Sequence, residues 1–141
     1  MRALEVAKYV LFMCQQEDNP ISNLHLQKIL YYVQKGYMKQ NNGKALFEDD
    51  FVAWKFGPVI EDVYYEYCAY GANKIIIRGE CNVKIDKETA KCIDPIIKEK
   101  MYLDPWVMVN ETHKKGGAWE TTFRNGVGRK IIKKELIMSE E

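Results

Sequence analysis

Few side chains in this sequence are of the types that catalyse reactions or bind metals. The chain has four cysteines and two histidines among 141 residues. Cys81, Cys92 and His113 could form a thiol–imidazole pair or supply three zinc ligands, because both kinds of site use these side chains. However, their spacing fits no closed zinc site, and no two cysteines form a Cys-x-x-Cys pair. We therefore expect neither a catalytic residue nor a metal site.

Phosphate-binding loops are not apparent in the sequence either. The glycines at Gly116-Gly117 and in Gly126-Val127-Gly128 match neither the Walker pattern nor the dinucleotide-binding pattern. Two histidines also leave few groups that could act as a general base near neutral pH. The sequence therefore predicts that the protein is not an enzyme and that it needs no cofactor.

Basic side chains are concentrated towards the end of the chain, around Trp119 and Phe123. They are Lys114, Lys115, Arg124, Arg129, Lys130, Lys133 and Lys134. Such donors bind phosphates, and aromatic rings can stack on bases. A solvated helix face gives the same pattern, however, and the chain has no helix-turn-helix signature. A nucleic-acid-binding regulator is therefore the alternative function, and nucleic acid is not the expected partner.

The composition is typical of a compact globular domain, with 47% apolar and 29% charged residues. A chain of this length can bury a core without disulfides or metal, so we expect a single domain over residues 1–141. The formal net charge of +1 gives no general attraction to nucleic acid or membranes. No apolar run approaches the roughly 20 residues that cross a bilayer, so we expect no membrane contact and a cytoplasmic protein with reduced cysteines.

Two helices are predicted in the first forty residues. Apolar residues from Leu4 to Cys14 recur at steps of three and four, which indicates a helix over Ala3–Gln16. Ser22 is a suitable N-cap for a second helix, which should end by Gly43 at the latest. Both helices would bury one apolar face.

The segment 51–67 is rich in aromatic residues. Residues 51–55 have the composition of a short strand, in which Phe51 and Trp54 should be buried or half-buried. Gly57-Pro58 should end that strand and begin a third helix, because proline is well tolerated in a first helical turn. The buried stripe predicted for this helix, which Gly71 would end, consists of Ile60, Val63, Tyr64, Tyr67 and Cys68.

The corner between this strand and helix is the predicted recognition surface, because loops on a rigid scaffold often bind partners. Tyr65 and Tyr70 lie off the buried stripe and should face water or a partner. The predicted partner-binding residues are Lys55, Phe56, Gly57, Pro58, Tyr65, Tyr70, His113 and Trp119.

The second half of the chain predicts a small hairpin followed by helices. Residues 75–77 and 83–85 are the candidate hairpin strands. Asp86 should cap a helix over Lys87–Met101, and Asp104-Pro105 should begin a short helix that reaches His113.

Residues 129–138 read as a short strand or helix, and residues 139–141 should fray. The expected fold is α+β and mainly helical, with about five or six helices and either a short strand or a small antiparallel sheet.

Three short motifs occur in a fixed order along the chain. They are Leu26-Gln27-Lys28 with Tyr31-Tyr32, the block AWKFGPV at 53–59, and Thr112-His113 followed by Trp119. In this order they resemble the Panacea domain family, also called SocA-like, which occurs in bacterial chromosomes, plasmids and phages. The resemblance covers nearly the whole chain.

The resemblance implies an antitoxin of a type II toxin–antitoxin system, encoded by a phage or other mobile element. Such a protein would neutralise the toxin of the adjacent gene by direct protein contact. It also implies a mainly helical fold with minor strands. Because toxins of several unrelated types accompany the family, the resemblance does not identify the toxin of this protein. A homo-oligomer is a further prediction.

Overall fold

The computed structural model of the chain describes residues 1–123 and 130–140. The α-helices are Ala3–Gln16 (α1), Asn23–Gln40 (α2), Glu61–Glu66 (α3), Lys87–Met101 (α4), Pro105–Thr112 (α5), Ala118–Phe123 (α6) and Lys134–Ser139 (α7). The strands are Phe51–Trp54 (β1), Gly57–Val59 (β2) and Ile131–Ile132 (β3). This mainly helical α+β fold confirms the predicted fold class, although five or six helices were expected and α6 was not predicted.

The central helix of the fold is α2, which packs against α1, α4, α5 and β2. Ser22 caps it as predicted, because its hydroxyl accepts the backbone N–H of His25 at 3.3 Å. The enclosure on several sides also buries polar residues of this helix. These residues are Asn23, His25, Gln27, Lys28 and Gln34. Their hydrogen bonds connect α2 to the segments around it.

The helices with local capping signals have the predicted bounds. Asp86 caps α4 by accepting the backbone N–H of Thr89 at 2.8 Å, and Pro95 lies inside this helix. Asp104 caps α5 by accepting the backbone N–H of Trp106 at 2.8 Å. No helix in residues 1–123 or 130–140 is both long and apolar enough to cross a bilayer.

The sheet has the order β2-β1-β3, with both neighbouring pairs antiparallel. Trp54 pairs with Gly57, so β1 and β2 form a tight hairpin whose turn is Lys55-Phe56. The prediction that Gly57-Pro58 begins a helix is therefore wrong. Pro58 is tolerated in β2 because β2 is an edge strand, where a missing N–H breaks no further ladder bond.

The third helix is also shorter than predicted. It ends at Glu66, and a 3₁₀ turn follows over Cys68–Tyr70. Val63 and Tyr67 are buried as expected, but Cys68 is exposed, because the tighter 3₁₀ turn shifts the residues that follow out of the helical stripe.

The predicted hairpin over 75–77 and 83–85 is wrong, since neither segment is a strand. The backbone N–H of Ile75 instead donates to the carbonyl of Ile21 at 2.8 Å, and the N–H of Ile77 donates to Gln15 Oε1 at 2.8 Å. These backbone groups are satisfied by contacts with α1 and with the loop after it.

The last described segment differs from the prediction in order and burial. Residues 129–138 were expected to be a strand or a helix, and the described part contains both β3 and α7. Residues 139–141 were expected to fray, yet Glu140 is buried because its carboxylate is hydrogen-bonded. Arg124, the glycines of Gly126-Val127-Gly128, Arg129 and Glu141 lie outside the described residues.

Candidate functional site: an aromatic groove at the hairpin corner

Three separate segments of the chain meet behind the β1–β2 hairpin. The side chain of Lys28 on α2 reaches β2, where its ammonium donates to the carbonyl oxygen of Pro58 at 2.9 Å. Thr112, the last residue of α5, lies against the same strand at Gly57. The tertiary structure thus brings together residues from all three motifs identified in the sequence.

Gly57 is required at this meeting point for two reasons. Its φ of +113° lies where side chains other than glycine are strained. A Cβ placed there would also lie only 2.9 Å from Lys28 Nζ and 2.9 Å from Thr112 Oγ1. The hairpin can approach α2 and α5 this closely because residue 57 has no side chain.

Lys28 is fully buried, and no carboxylate is paired with it in the described part of the chain. Burial disfavours the charged form and lowers the pKa of the Lys28 ammonium to about 7. Lys28 belongs to one of the three sequence motifs, but the sequence predicted no role for it. A lysine between apolar residues on a helix face, as here between Leu26 and Ile29, is the signal that could have found it.

Buried amides connect α2 to the residues that follow the hairpin. Gln27 Oε1 accepts the backbone N–H of Ile60 at 2.9 Å, and Gln27 Nε2 donates to Asn23 Oδ1 at 3.0 Å. Asn23 Nδ2 in turn donates to the carbonyl of Tyr64 at 3.0 Å. This network holds α3 beside the hairpin, and sequence reasoning missed it because amide side chains carry no periodic signal.

His113 and Trp119 form a stacked pair next to the end of β1. Their ring centroids are 3.7 Å apart and their planes differ by 8°. Trp119 is buried, and its indole N–H donates to the carbonyl of Trp54 at 2.6 Å. Burial, and then the charge of Lys28, lower the pKa of His113. Trp119 is therefore buried against the end of β1 and His113 is half-buried beside it, and their part in partner binding stays a prediction.

An apolar groove opens in front of the hairpin, with a volume of about 480 Å³. We call it the aromatic groove. Its lining consists of Asn23, Leu24, Gln27, Trp54, Lys55, Phe56, Val59, Tyr64, Gly71, Ala72 and Trp106. Four of these eleven residues are aromatic, and Lys55 is the charged one. Such a lining suits a large apolar side chain of a partner.

The outer wall of the groove is formed by Phe56 and Trp106. Their rings meet edge to face with centroids 5.3 Å apart, and 46% and 51% of their surfaces are exposed. Sequence reasoning predicted Phe56 but missed Trp106. The available signal was Asp104-Pro105, since this cap and first turn present the next residue at the start of α5.

Of the two tyrosines predicted to be accessible, Tyr65 is the more exposed. Tyr65 is 50% exposed, and its ring lies 6.3 Å from that of Trp54 at the edge of the groove. Tyr70 is half-buried against the core, and its hydroxyl donates to the carbonyl of Ile76 at 3.1 Å. The 3₁₀ turn over Cys68–Tyr70 changes the direction of Tyr70 relative to a continuous helix.

The other predicted residues at the hairpin are Lys55, Gly57 and Pro58. Lys55 is exposed at the turn, whereas Gly57 and Pro58 are buried beneath it. Their part in partner binding stays a prediction.

The contacts of the described residues do not bring Cys81, Cys92 and His113 together as a reactive centre. All four cysteines are free thiols, and Cys81 contacts Val83 rather than His113. Within residues 1–123 and 130–140, no group of three His, Cys, Asp or Glu side chains is placed to hold a metal ion.

Comparisons with known proteins connect this geometry to a family. The family model described as "Antitoxin SocA-like, Panacea domain" matches residues 26–120, a span that begins on α2 and ends on α6. The curated protein "Antitoxin SocA" of Caulobacter vibrioides (strain NA1000 / CB15N) is 31% identical over 140 residues, covering 92% of this chain and 73% of that protein. No solved structure matches.

The matched span contains Lys28, the hairpin and the His113–Trp119 pair, so the features around the aromatic groove lie in the part that defines the family. The chain therefore belongs to the SocA-like antitoxin family with a Panacea domain, and this membership supports an antitoxin role.

Proposed function

We propose that this protein is a type II antitoxin, which neutralises a cognate toxin from the adjacent gene by direct contact through the aromatic groove. The observation that carries the proposal is the joint exposure of Phe56 and Trp106 at the wall of one groove. Exposed aromatic side chains that lie together are typical of protein interfaces, where such residues supply much of the binding energy.

The lining of the groove suggests what part of the toxin it contacts. An apolar side chain of the toxin would fill the space between Trp54, Phe56 and Trp106. A carboxylate beside that side chain would face Lys55, the charged residue at the turn. Charge complementarity of this kind favours the correct orientation of the partner and faster association.

A near-neutral chain that acts by covering a surface of its partner needs no catalytic group. This mode of action is consistent with the prediction from the sequence that the protein is not an enzyme. We further propose that the protein acts in the cytoplasm and is encoded on a phage or mobile element. We also propose that residues 1–141 form a single domain and that this domain can form a homo-oligomer.

The test is co-expression with the product of the adjacent gene, followed by a pull-down and a growth-rescue assay. The wild-type protein should rescue growth and retain the toxin. Phe56→Ala with Trp106→Ala should weaken binding by about tenfold or more, since each removes exposed interface area. Tyr102→Ala is the matched control, because Tyr102 is 63% exposed but does not line the groove.

Rescue without a detectable complex would contradict direct neutralisation. In that case a DNA gel shift that weakens steeply with salt would favour the nucleic-acid-binding regulator instead.

A further inference from the structure

The carboxylate of Glu140 is buried, and both of its oxygens accept hydrogen bonds. Only 6% of the residue is exposed. Oε1 accepts the hydroxyl of Tyr31 at 2.9 Å and the ammonium of Lys35 at 3.1 Å, and Oε2 accepts the backbone N–H of Ala118 at 2.7 Å. The ammonium of Lys39 also donates to the backbone carbonyl of Glu140. The carboxylate therefore ties α2 to the first residue of α6.

The first turn of α6 carries this contact to the hairpin. Trp119 follows Ala118 directly, and its indole N–H donates to the carbonyl of Trp54. Trp54 is the last residue of β1, so this bond lies immediately before the turn that carries Lys55 and Phe56. A shift of α6 would move the indole away from its acceptor and release the turn.

The indole of Trp119 has little freedom to compensate for such a shift. It is stacked on His113 on one side, with centroids 3.7 Å apart, and on Phe123 with centroids 4.6 Å apart. Because Phe123 lies on the same helix as Trp119, this stack moves with α6. The position of the start of α6 thus decides whether the indole reaches Trp54.

We propose that Glu140 is a positioning residue for the aromatic groove, acting through Ala118, Trp119 and the carbonyl of Trp54. Its carboxylate fixes the start of α6, α6 holds the indole, and the indole holds the hairpin turn that forms one wall of the groove. This inference rests on the proposed function only where it concerns toxin affinity. The effect on the indole is independent of any partner.

The first readout is exchange of the Trp119 indole N–H with solvent, followed by NMR and assigned with the Trp119→Phe variant. In Glu140→Ala the exchange should be faster by about tenfold or more, because the hydrogen bond to Trp54 opens locally. The indole N–H of Trp106 should exchange as in the wild type. Glu140→Gln keeps an oxygen that can accept from Ala118 and should restore most of the protection.

Two variants on α7 separate positioning from general stability. Glu135→Ala removes an exposed acidic side chain of α7 and should change neither the melting temperature nor the exchange of the Trp119 indole. Ile137→Ala removes a buried side chain, which is 1% exposed, and should lower the melting temperature without speeding exchange at Trp119. Equal indole exchange in Glu140→Ala and Ile137→Ala, after both are shown to be folded, would overturn the proposal.

The second readout is toxin affinity, measured at a temperature where every variant is folded. Glu140→Ala and Trp119→Phe should each weaken binding by about tenfold, while Ile137→Ala stays near the wild type. Wild-type affinity in Trp119→Phe would overturn the path through the indole even if Glu140→Ala failed to fold. If the wild-type protein bound no toxin, the proposed function would fail, and the indole exchange would still decide the role of Glu140.

Discussion

The ammonium of Lys28 lies 2.9 Å from the carbonyl oxygen of Pro58, in a fully buried position that joins α2 to the edge strand β2. The arrangement satisfies a strand carbonyl that faces the interior, but it encloses a group that water would solvate far better when charged. Burial accordingly lowers the pKa of Lys28 from 10.5 to about 7. The hairpin is held by a group whose charge depends on pH near neutrality.

We expect the stability of the protein to rise with pH between about 7 and 9 because of Lys28. In this range the unfolded chain keeps a proton on Lys28 that the folded protein has released. The free energy of unfolding should therefore increase by up to about 1.4 kcal/mol per pH unit. Below pH 7 both states bind the proton, so the penalty of burying the charge is fully present and constant.

Chemical denaturation at several pH values checks this expectation. Lys28→Met should remove the increase between pH 7 and 9, although it leaves the Pro58 carbonyl without its donor and lowers the overall stability. The series should stop at pH 9, because burial raises the pKa of Tyr67 to about 12 and such tyrosines destabilise the fold at higher pH. An unchanged pH slope in Lys28→Met would contradict the role given to this lysine.

Replacing Gly57 by alanine should destabilise the protein by about 3 kcal/mol, because the positive φ and the contacts with Lys28 and Thr112 both oppose a Cβ. Gly79→Ala is the matched control. Gly79 has a φ of +87° with nothing within 4 Å of the Cβ position, so its replacement should cost only about 1 kcal/mol. Thermal and urea unfolding measure both, and equal losses would show that the close approach at Gly57 does not matter.

Lys55→Ala should leave the free energy of unfolding within about 0.5 kcal/mol of the wild type, since Lys55 is exposed at the hairpin turn. Urea unfolding measures this change, and binding experiments on the same variant report its contribution to the proposed interface. A large loss of stability would place Lys55 among the residues that hold the fold.

The two tyrosines singled out in the sequence should behave differently. Tyr65→Ala should change the free energy of unfolding by less than about 0.5 kcal/mol, since the side chain is half exposed. Tyr70→Ala should lower it by about 1–2 kcal/mol, because it removes packing against the core and the hydrogen bond to Ile76. Urea unfolding of the two single variants tests the difference; similar values would mean that Tyr70 is not anchored as described.

Thiol labelling of the native protein should distinguish the cysteines by exposure. Cys68 is exposed and should react first, whereas Cys14 is buried and burial raises its pKa to about 12. Mass spectrometry of peptides after brief labelling at pH 8 gives the order. Labelling of Cys14 as fast as Cys68 would contradict the packing of α1.

Added reductant or chelator should change the melting temperature by no more than about 1 °C, because all four cysteines are free and a chain of this length can bury a core without disulfides or metal. A differential scanning measurement with and without each reagent checks this, and a large fall would indicate a stabilising disulfide or metal.

The sequence was most informative where structure depends on neighbouring residues. The cap at Asp86 predicted the start of α4, and Asp104-Pro105 predicted the start of α5. Ser22 likewise predicted the start of α2. Capping and helical periodicity act within one or two turns, so they can be read from the chain itself.

Tertiary contacts decided the candidate site. Gly57-Pro58 has the local signature of a helix start, yet pairing with β1 and the donor from Lys28 made it an edge strand. Trp119 was predicted to contact a partner, and the structure shows its ring buried with the indole N–H bonded to the carbonyl of Trp54. Local sequence offers no means of anticipating a partner that lies many residues away.

The sequence by itself determined the helical character of the chain, its family motifs and the aromatic residues near the hairpin. Only the tertiary structure decided that Phe56 and Trp106, which lie on separate elements, form one groove wall, and that Glu140 is buried rather than frayed. The physical reason is that burial and hydrogen bonding between distant segments depend on where the whole chain packs, whereas propensity and capping depend only on adjacent residues.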